Sequence, residues 1–90
     1  MKKKIVAMDD DPAIVKLIEF ILKEEFEVFT AFDGEEGLNK IYKTSPDLVI
    51  LDLHMPRMTG FEVCTRLRSS SRFSHTPILL LTGSTKIENG

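Results

Sequence analysis

The chain is short of the residues that staple, anchor or coordinate. One cysteine, Cys64, stands in 90 residues. It can close no internal disulfide and build no thiolate metal site. His54 and His75 have no second histidine or cysteine at ligand spacing, so both read as exposed loop residues. Long hydrophobic runs are also missing. Ile5–Met8, Leu48–Leu51 and Ile78–Leu81 are the longest, whereas a membrane-spanning helix needs about 20 apolar residues in a row. The basic start Met1–Lys4 is followed only by Ile5–Met8, too short for a secretory signal core. A cytoplasmic location without membrane contact is therefore expected. Lys and Arg number 12 against 14 Asp and Glu, a net charge of −2 with no dense basic stripe, which argues against direct nucleic-acid binding.

What remains is the composition of one soluble globular domain, with 42% hydrophobic and 29% charged residues. The three apolar runs do not alternate with polar residues. They read as strands covered on both faces, as in parallel sheets. Val28–Ala31 is a weaker fourth run. Helical patterns separate them. Ile14, Leu17, Ile18, Ile21 and Leu22 fall on one helix face, with Asp11 as N-cap and Pro12 at the first helical position. A second helix is expected from Asp33, where Asp33 and Glu36 have capping-box spacing and Leu38, Ile41 and Tyr42 form the apolar face. Ser45-Pro46 ends it. A third runs from Gly60 to Arg68 with Phe61, Cys64 and Leu67 on one side. Residues Ser69 to Pro77 read as a polar loop. The β-α-β-α-β-α-β order implies an α/β, doubly wound parallel sheet with right-handed crossovers.

In open parallel sheets ligands bind beyond the carboxyl ends of the strands. There the first run is followed by Asp9-Asp10-Asp11, the third by Asp52 and the fourth by Thr82-Gly83. If the first and third runs are neighbours, Asp9, Asp10 and Asp52 converge. Two like charges 4 Å apart cost about 4 kcal/mol at an effective dielectric of 20. Gathered carboxylates therefore call for a cation or a raised pKa. Oxygen donors on loops suit Mg²⁺. A carboxylate beside it can act as a nucleophile toward phosphorus, with a hydroxyl such as that of Thr82 donating to the phosphoryl oxygens. Each acid alone is better explained as a helix cap or a solvated charge; the joint placement favours a site.

The same residues carry a resemblance. Asp9-Asp10 after the first run, the stretch Leu48–Gly60 with Asp52 followed by Met55-Pro56 and Gly60, and Thr76–Gly83 together resemble the receiver domain of two-component response regulators. The resemblance implies a flavodoxin-like sheet of order 2-1-3-4 with three helices. It implies that Asp52 accepts a phosphoryl group from a sensor histidine kinase or phosphotransfer protein. It implies that Asp10, Asp52 and the backbone carbonyl of His54 bind Mg²⁺ directly and that Asp9 acts through water. Thr82 would hydrogen-bond the phosphoryl group and Gly83 would leave it access. His54 and Ser84 fall at positions that tune phosphoryl loss.

The pattern departs from the family at its end. Residues 1–90 read as a single, incomplete receiver domain without the fifth strand, its lysine and the last helices. Ile78–Leu81 would then be an exposed apolar edge, prone to self-association or to pairing with a complementing segment. Two other functions fit parts of the pattern. One is a receiver fragment acting as a self-associating structural piece without phosphotransfer. The other is a haloacid-dehalogenase-like phosphohydrolase, which Ala13 disfavours because that class has Thr or Val there.

Overall fold

The structure, a computed structural model, describes residues 1–81. Four parallel strands, β1 (Lys3–Met8), β2 (Phe26–Ala31), β3 (Leu48–Asp52) and β4 (Ile78–Leu81), form one sheet in the order β2-β1-β3-β4. The crossovers are α1 (Pro12–Leu22), α2 (Gly34–Thr44) and α3 (Gly60–Arg68). The expected order of strands and the third helix's limits are found as read.

The central strand explains why its sequence does not alternate. On β1, Val6 and Met8 pack with Leu38 and Ile41 of α2 and Val63 and Leu67 of α3. Ile5 and Ala7 face the other way, into a smaller cluster with Ile18 and Leu22 of α1. Both faces are thus dry, as continuous apolar runs require. β4 differs: Leu79 and Leu80 are 52% and 40% exposed, and among the described residues β4 pairs with β3 alone.

The caps are chemical and local. Asp11 accepts from Ala13 N at 2.9 Å and Pro12 opens α1. Asp33 accepts from Glu36 N at 2.8 Å. The return bond of a full capping box is not made there, because Glu36 accepts instead from Phe32 N at 2.9 Å. The complete box belongs to Thr59 and Glu62 at the start of α3, a pair the sequence reading passed over. α2 stops at Ser45, in the left-handed region with φ 50°, just before Pro46.

Two helix faces are rotated from their expected positions. In α1 the buried residue is Val15, beside the half-buried Ile18 and Leu22, while Leu17 and Ile21 are exposed. In α3 the buried residues are Gly60, Val63 and Leu67; Phe61 is exposed and Cys64 half-buried. Tyr42 is also exposed, although its ring lies 5.7 Å from that of Phe73. The segment before β4 is less polar in effect than in composition. Phe73 is buried in the main core. Arg68 Nη1 donates to the carbonyls of Phe73, Ser74 and Thr76 at 2.9–3.2 Å, which ties this segment to α3.

Gly60 marks where α3 meets the end of β3. A Cβ there would collide with the carbonyl oxygen of Asp52 and lie 2.8 Å from Leu53 Cα. Both are backbone atoms, so the clash cannot be relieved by a rotamer. Gly60→Ala is expected to cost about 2–3 kcal/mol and to lower the melting temperature by about 10 °C or more, read by circular dichroism.

Candidate functional site

The register of the sheet assembles the acids. β1 and β3 pair with Met8 opposite Leu51. The next residue along each strand is an aspartate, so Asp9 and Asp52 come side by side at the carboxyl edge. Asp10 follows on the loop. One carboxylate oxygen from each of Asp9, Asp10 and Asp52 lies within 4.8 Å of the others. The convergence expected from the order of strands is therefore present. Asp9 and Asp52 are each only 7% exposed, whereas Asp10 is open to solvent.

Backbone donors fix two of the three. Asp9 Oδ1 accepts from Asp11 N at 2.9 Å. Asp52 Oδ1 accepts from His54 N at 3.1 Å. The sequence reading gives His54 a backbone carbonyl for the metal but no amide bond to Asp52, and the structure adds that bond. The signal was available, because an Asp side chain commonly takes the N–H two residues on. Leu53 continues the ladder, its N–H donating to Leu81 O at 3.1 Å. Asp11 serves as the cap, and Asp33 likewise caps α2.

Among the described residues the two ion pairs are Lys40–Glu36 and Arg57–Asp33, and neither reaches the cluster. Burial pushes the Asp9 carboxyl above its ordinary value of 3.8; the charges of Asp52, Asp10 and Asp11 push the same way, and the Asp11 N–H opposes them. Three hard carboxylate donors, close together and partly dry, fit a small divalent cation of the Mg²⁺ type. The histidines do not join them: His54 and His75 are exposed, and Lys2–Lys4 lie at the amino end of β1, at the opposite edge. Thr82, Gly83 and Ser84 lie outside the described residues.

Comparison with known proteins agrees with this geometry. The response regulator receiver domain family matches residues 5–90. The chain is 42% identical over 81 residues to the hybrid signal transduction histidine kinase D of Dictyostelium discoideum, covering 90% of this chain and 5% of that protein. It is 43% identical over 83 residues to the alkaline phosphatase synthesis transcriptional regulatory protein PhoP of Bacillus subtilis, covering 91% of this chain and 34% of that protein. The chain thus spans a small part of these two relatives. Among solved structures, the chemotaxis response regulator CheY4 of Vibrio cholerae superposes with a TM-score of 0.85 at 38% identity, over 96% of this chain and 75% of that one. The N-terminal domain of a response regulator receiver protein from Methanoculleus marisnigri gives 0.84 at 37% identity, over 89% and 66%. With its strand order, its acidic carboxyl edge and a family match across nearly the whole sequence, the chain belongs to the response regulator receiver domain family.

Proposed function

We propose that the chain is a phosphoacceptor signalling module whose acceptor is Asp52. The observation that carries this reading is the convergence of Asp9, Asp10 and Asp52 at one strand edge with no protein cation against them among the described residues. Receiver domains are signalling modules, and the donor that suits this one is a phosphohistidine on a sensor kinase or phosphotransfer protein. The chemistry is self-phosphorylation and dephosphorylation, without turnover of a separate substrate.

The proposed step is a displacement at phosphorus. Asp52 is the nucleophile, and its Oδ1 is already engaged by His54 N–H, which leaves Oδ2 to attack. The new P–O bond forms as the P–N bond to the donor histidine breaks. The departing imidazole takes up a proton, and the product is an aspartyl phosphate. Mg²⁺, held by Asp10, Asp52 and the His54 carbonyl with Asp9 acting through water, would neutralise charge on the transferring group. Thr82 would donate to a phosphoryl oxygen and Gly83 would leave it room. The protein's own part is positional. The sheet holds two acids rigidly, and the Asp11 and His54 amides orient them. Phe73 and Arg68 fix the approach to β4, which leads to Thr82.

Two outcomes are expected. Acetyl phosphate with Mg²⁺ should add one phosphoryl group to the chain by intact-mass spectrometry. Asp52→Asn should remove that adduct, and omitting Mg²⁺ should suppress it. A folded chain that gains no adduct, or one labelled equally in Asp52→Asn, refutes the reading.

The second concerns Asp9. Its pKa is raised in the folded state, so its ionisation costs stability. That cost is absent below the ordinary value of 3.8 and sets in as pH rises through the raised value. Asp9→Asn keeps an oxygen for the Asp11 N–H. Without Mg²⁺ it should raise the melting temperature at pH 7 by a few degrees, and the gain should vanish as pH falls below 4. Millimolar Mg²⁺ should raise the melting point of the parent chain by mass action and that of Asp9→Asn by less. Scans at pH 3.5 and pH 7, with and without Mg²⁺, check both signs.

A further inference from the structure

Two methionines that flank the acids rest on one helix. Met8 immediately precedes Asp9 and is fully buried. Its Sδ occupies the space that a Cβ on Gly37 would take. Met58 stands in the loop that follows Asp52. Its Cβ, Cγ and Sδ would each lie 3.0 Å from a Cβ on Gly34. Gly34 and Gly37 are one turn apart on α2, so the first turn of that helix touches both acid-bearing segments.

We propose that this turn of α2 is a positioning element for the acid site, with Met58 on Gly34 and Met8 on Gly37 setting how the Asp52 loop sits against the Asp9 strand end. It rests on the reading of these acids as the metal and acceptor site. The loop, residues 53–59, is short and internally bonded. His54 N donates to Asp52 Oδ1, and Gly60 N donates to Leu53 O at 3.1 Å. Met58 N reaches Pro56 O at 2.7 Å, and Arg57 turns the chain with φ 65°, unusual for a residue other than glycine. Met55, buried in the core, fixes the middle of the loop. Met58 fixes its far end. The nearby Arg57–Asp33 pair, 3.6 Å between Nη2 and Oδ2, crosses the same junction, but Arg57 is largely exposed and such a pair contributes little. Apolar contact with α2 is therefore the main tether.

A hollow of about 190 Å³ lies alongside, between Asp33–Glu35 and Pro56–Met58. A Cβ at Gly34 would thus displace Met58 rather than unfold the helix, and alanine is the better helix former. A displaced loop end changes the frame from which His54 N–H orients Asp52, while leaving the sheet intact. This separates a positioning role from a merely structural one.

The test is a Mg²⁺ titration of the chain followed by the ε-methyl resonances of its methionines. In the parent chain the Met58 and Met8 methyls should move with Mg²⁺, and Met1 should not. Gly34→Ala should raise the Mg²⁺ midpoint by about three- to tenfold, at or below the lower end of what loss of outer-shell support costs, with no fall in melting temperature. If Gly34→Ala fails to fold, Met58→Ala takes its place: the midpoint read at Met8 should rise, and Met58→Leu should restore it. A silent Met58 in the parent chain overturns the proposal. So does a midpoint within twofold of the parent in folded Gly34→Ala, or, where that variant does not fold, in folded Met58→Ala. Failure of the acceptor reading would appear separately, as a missing phosphoryl adduct on Asp52 in a chain whose Mg²⁺ titration still judges the tether.

Discussion

Parallel pairing of β1 with β3 is the constraint on which the rest depends. Met8 opposite Leu51 forces the next two residues, Asp9 and Asp52, into adjacency whatever their charge. Two anions side by side at low exposure are unfavourable by several kcal/mol at close range. The sheet can impose this because its own burial is large and the acids lie just past its end. Ile5, Val6, Ala7 and Met8 are almost fully buried, as are Val49 and Leu51. The apolar contacts of both strands hold the register, and the carboxylates inherit their positions from it. An acid inside the run would disrupt the core; an acid two residues later would be solvated and free to move away.

The backbone around the cluster is arranged to limit that cost without abolishing it. Each buried aspartate receives one main-chain N–H, from Asp11 or from His54. A single amide favours the charged form of a carboxylate but does not outweigh burial and three neighbouring anions, so the Asp9 pKa stays raised. A lysine or arginine folded onto the cluster would compete with a metal ion for the same carboxylate oxygens. The ion pairs of the described residues lie instead on α2 and at its junction with the loop, and neither includes Asp9, Asp10 or Asp52.

Much of this was legible in the sequence, and the failures share a cause. Strand runs flanked by helical spacing give the order of elements, and acids directly after two apolar runs give the candidate cluster once those runs are neighbours in the sheet. Asp11-Pro12 reads as a helix start from local sequence alone. Helix faces were legible only approximately. The spacing of Ile14, Leu17, Ile18, Ile21 and Leu22 is helical, yet the sheet covers the stripe through Val15, Ile18 and Leu22. Likewise α3 buries Gly60, Val63 and Leu67 rather than Phe61. Periodicity states that a helix is amphipathic; which side a flat sheet can reach is decided by packing between elements. Phe73 escaped because polar neighbours surround it in sequence, while Tyr42 and Leu67 surround it in space or share its core. The Thr59–Glu62 box is visible in its spacing, but the glycine that follows Thr59 is a poor helix former and masks the helix start it caps.

Gly60 shows how a local rule and a long-range one can settle on the same residue. As the first residue of α3 it gains little from being glycine, since helix formation alone would favour alanine there. Its requirement comes from the chain folding back. Thr59 must cap α3 while Gly60 N donates to Leu53 O, which presses Gly60 against the carbonyl of Asp52 and the backbone of Leu53. The return is tight because the loop must do two things within seven residues. It must present the His54 amide to Asp52 and still deliver Val63 and Leu67 to the core. A longer loop would relax the contact at Gly60 but would leave the His54 amide less constrained, and with it the orientation of the Asp52 carboxylate. The spacing from Asp52 through Met55-Pro56 to Gly60 is therefore a geometric statement. It lets one strand end carry a charged side chain while the next helix closes over the core beneath it.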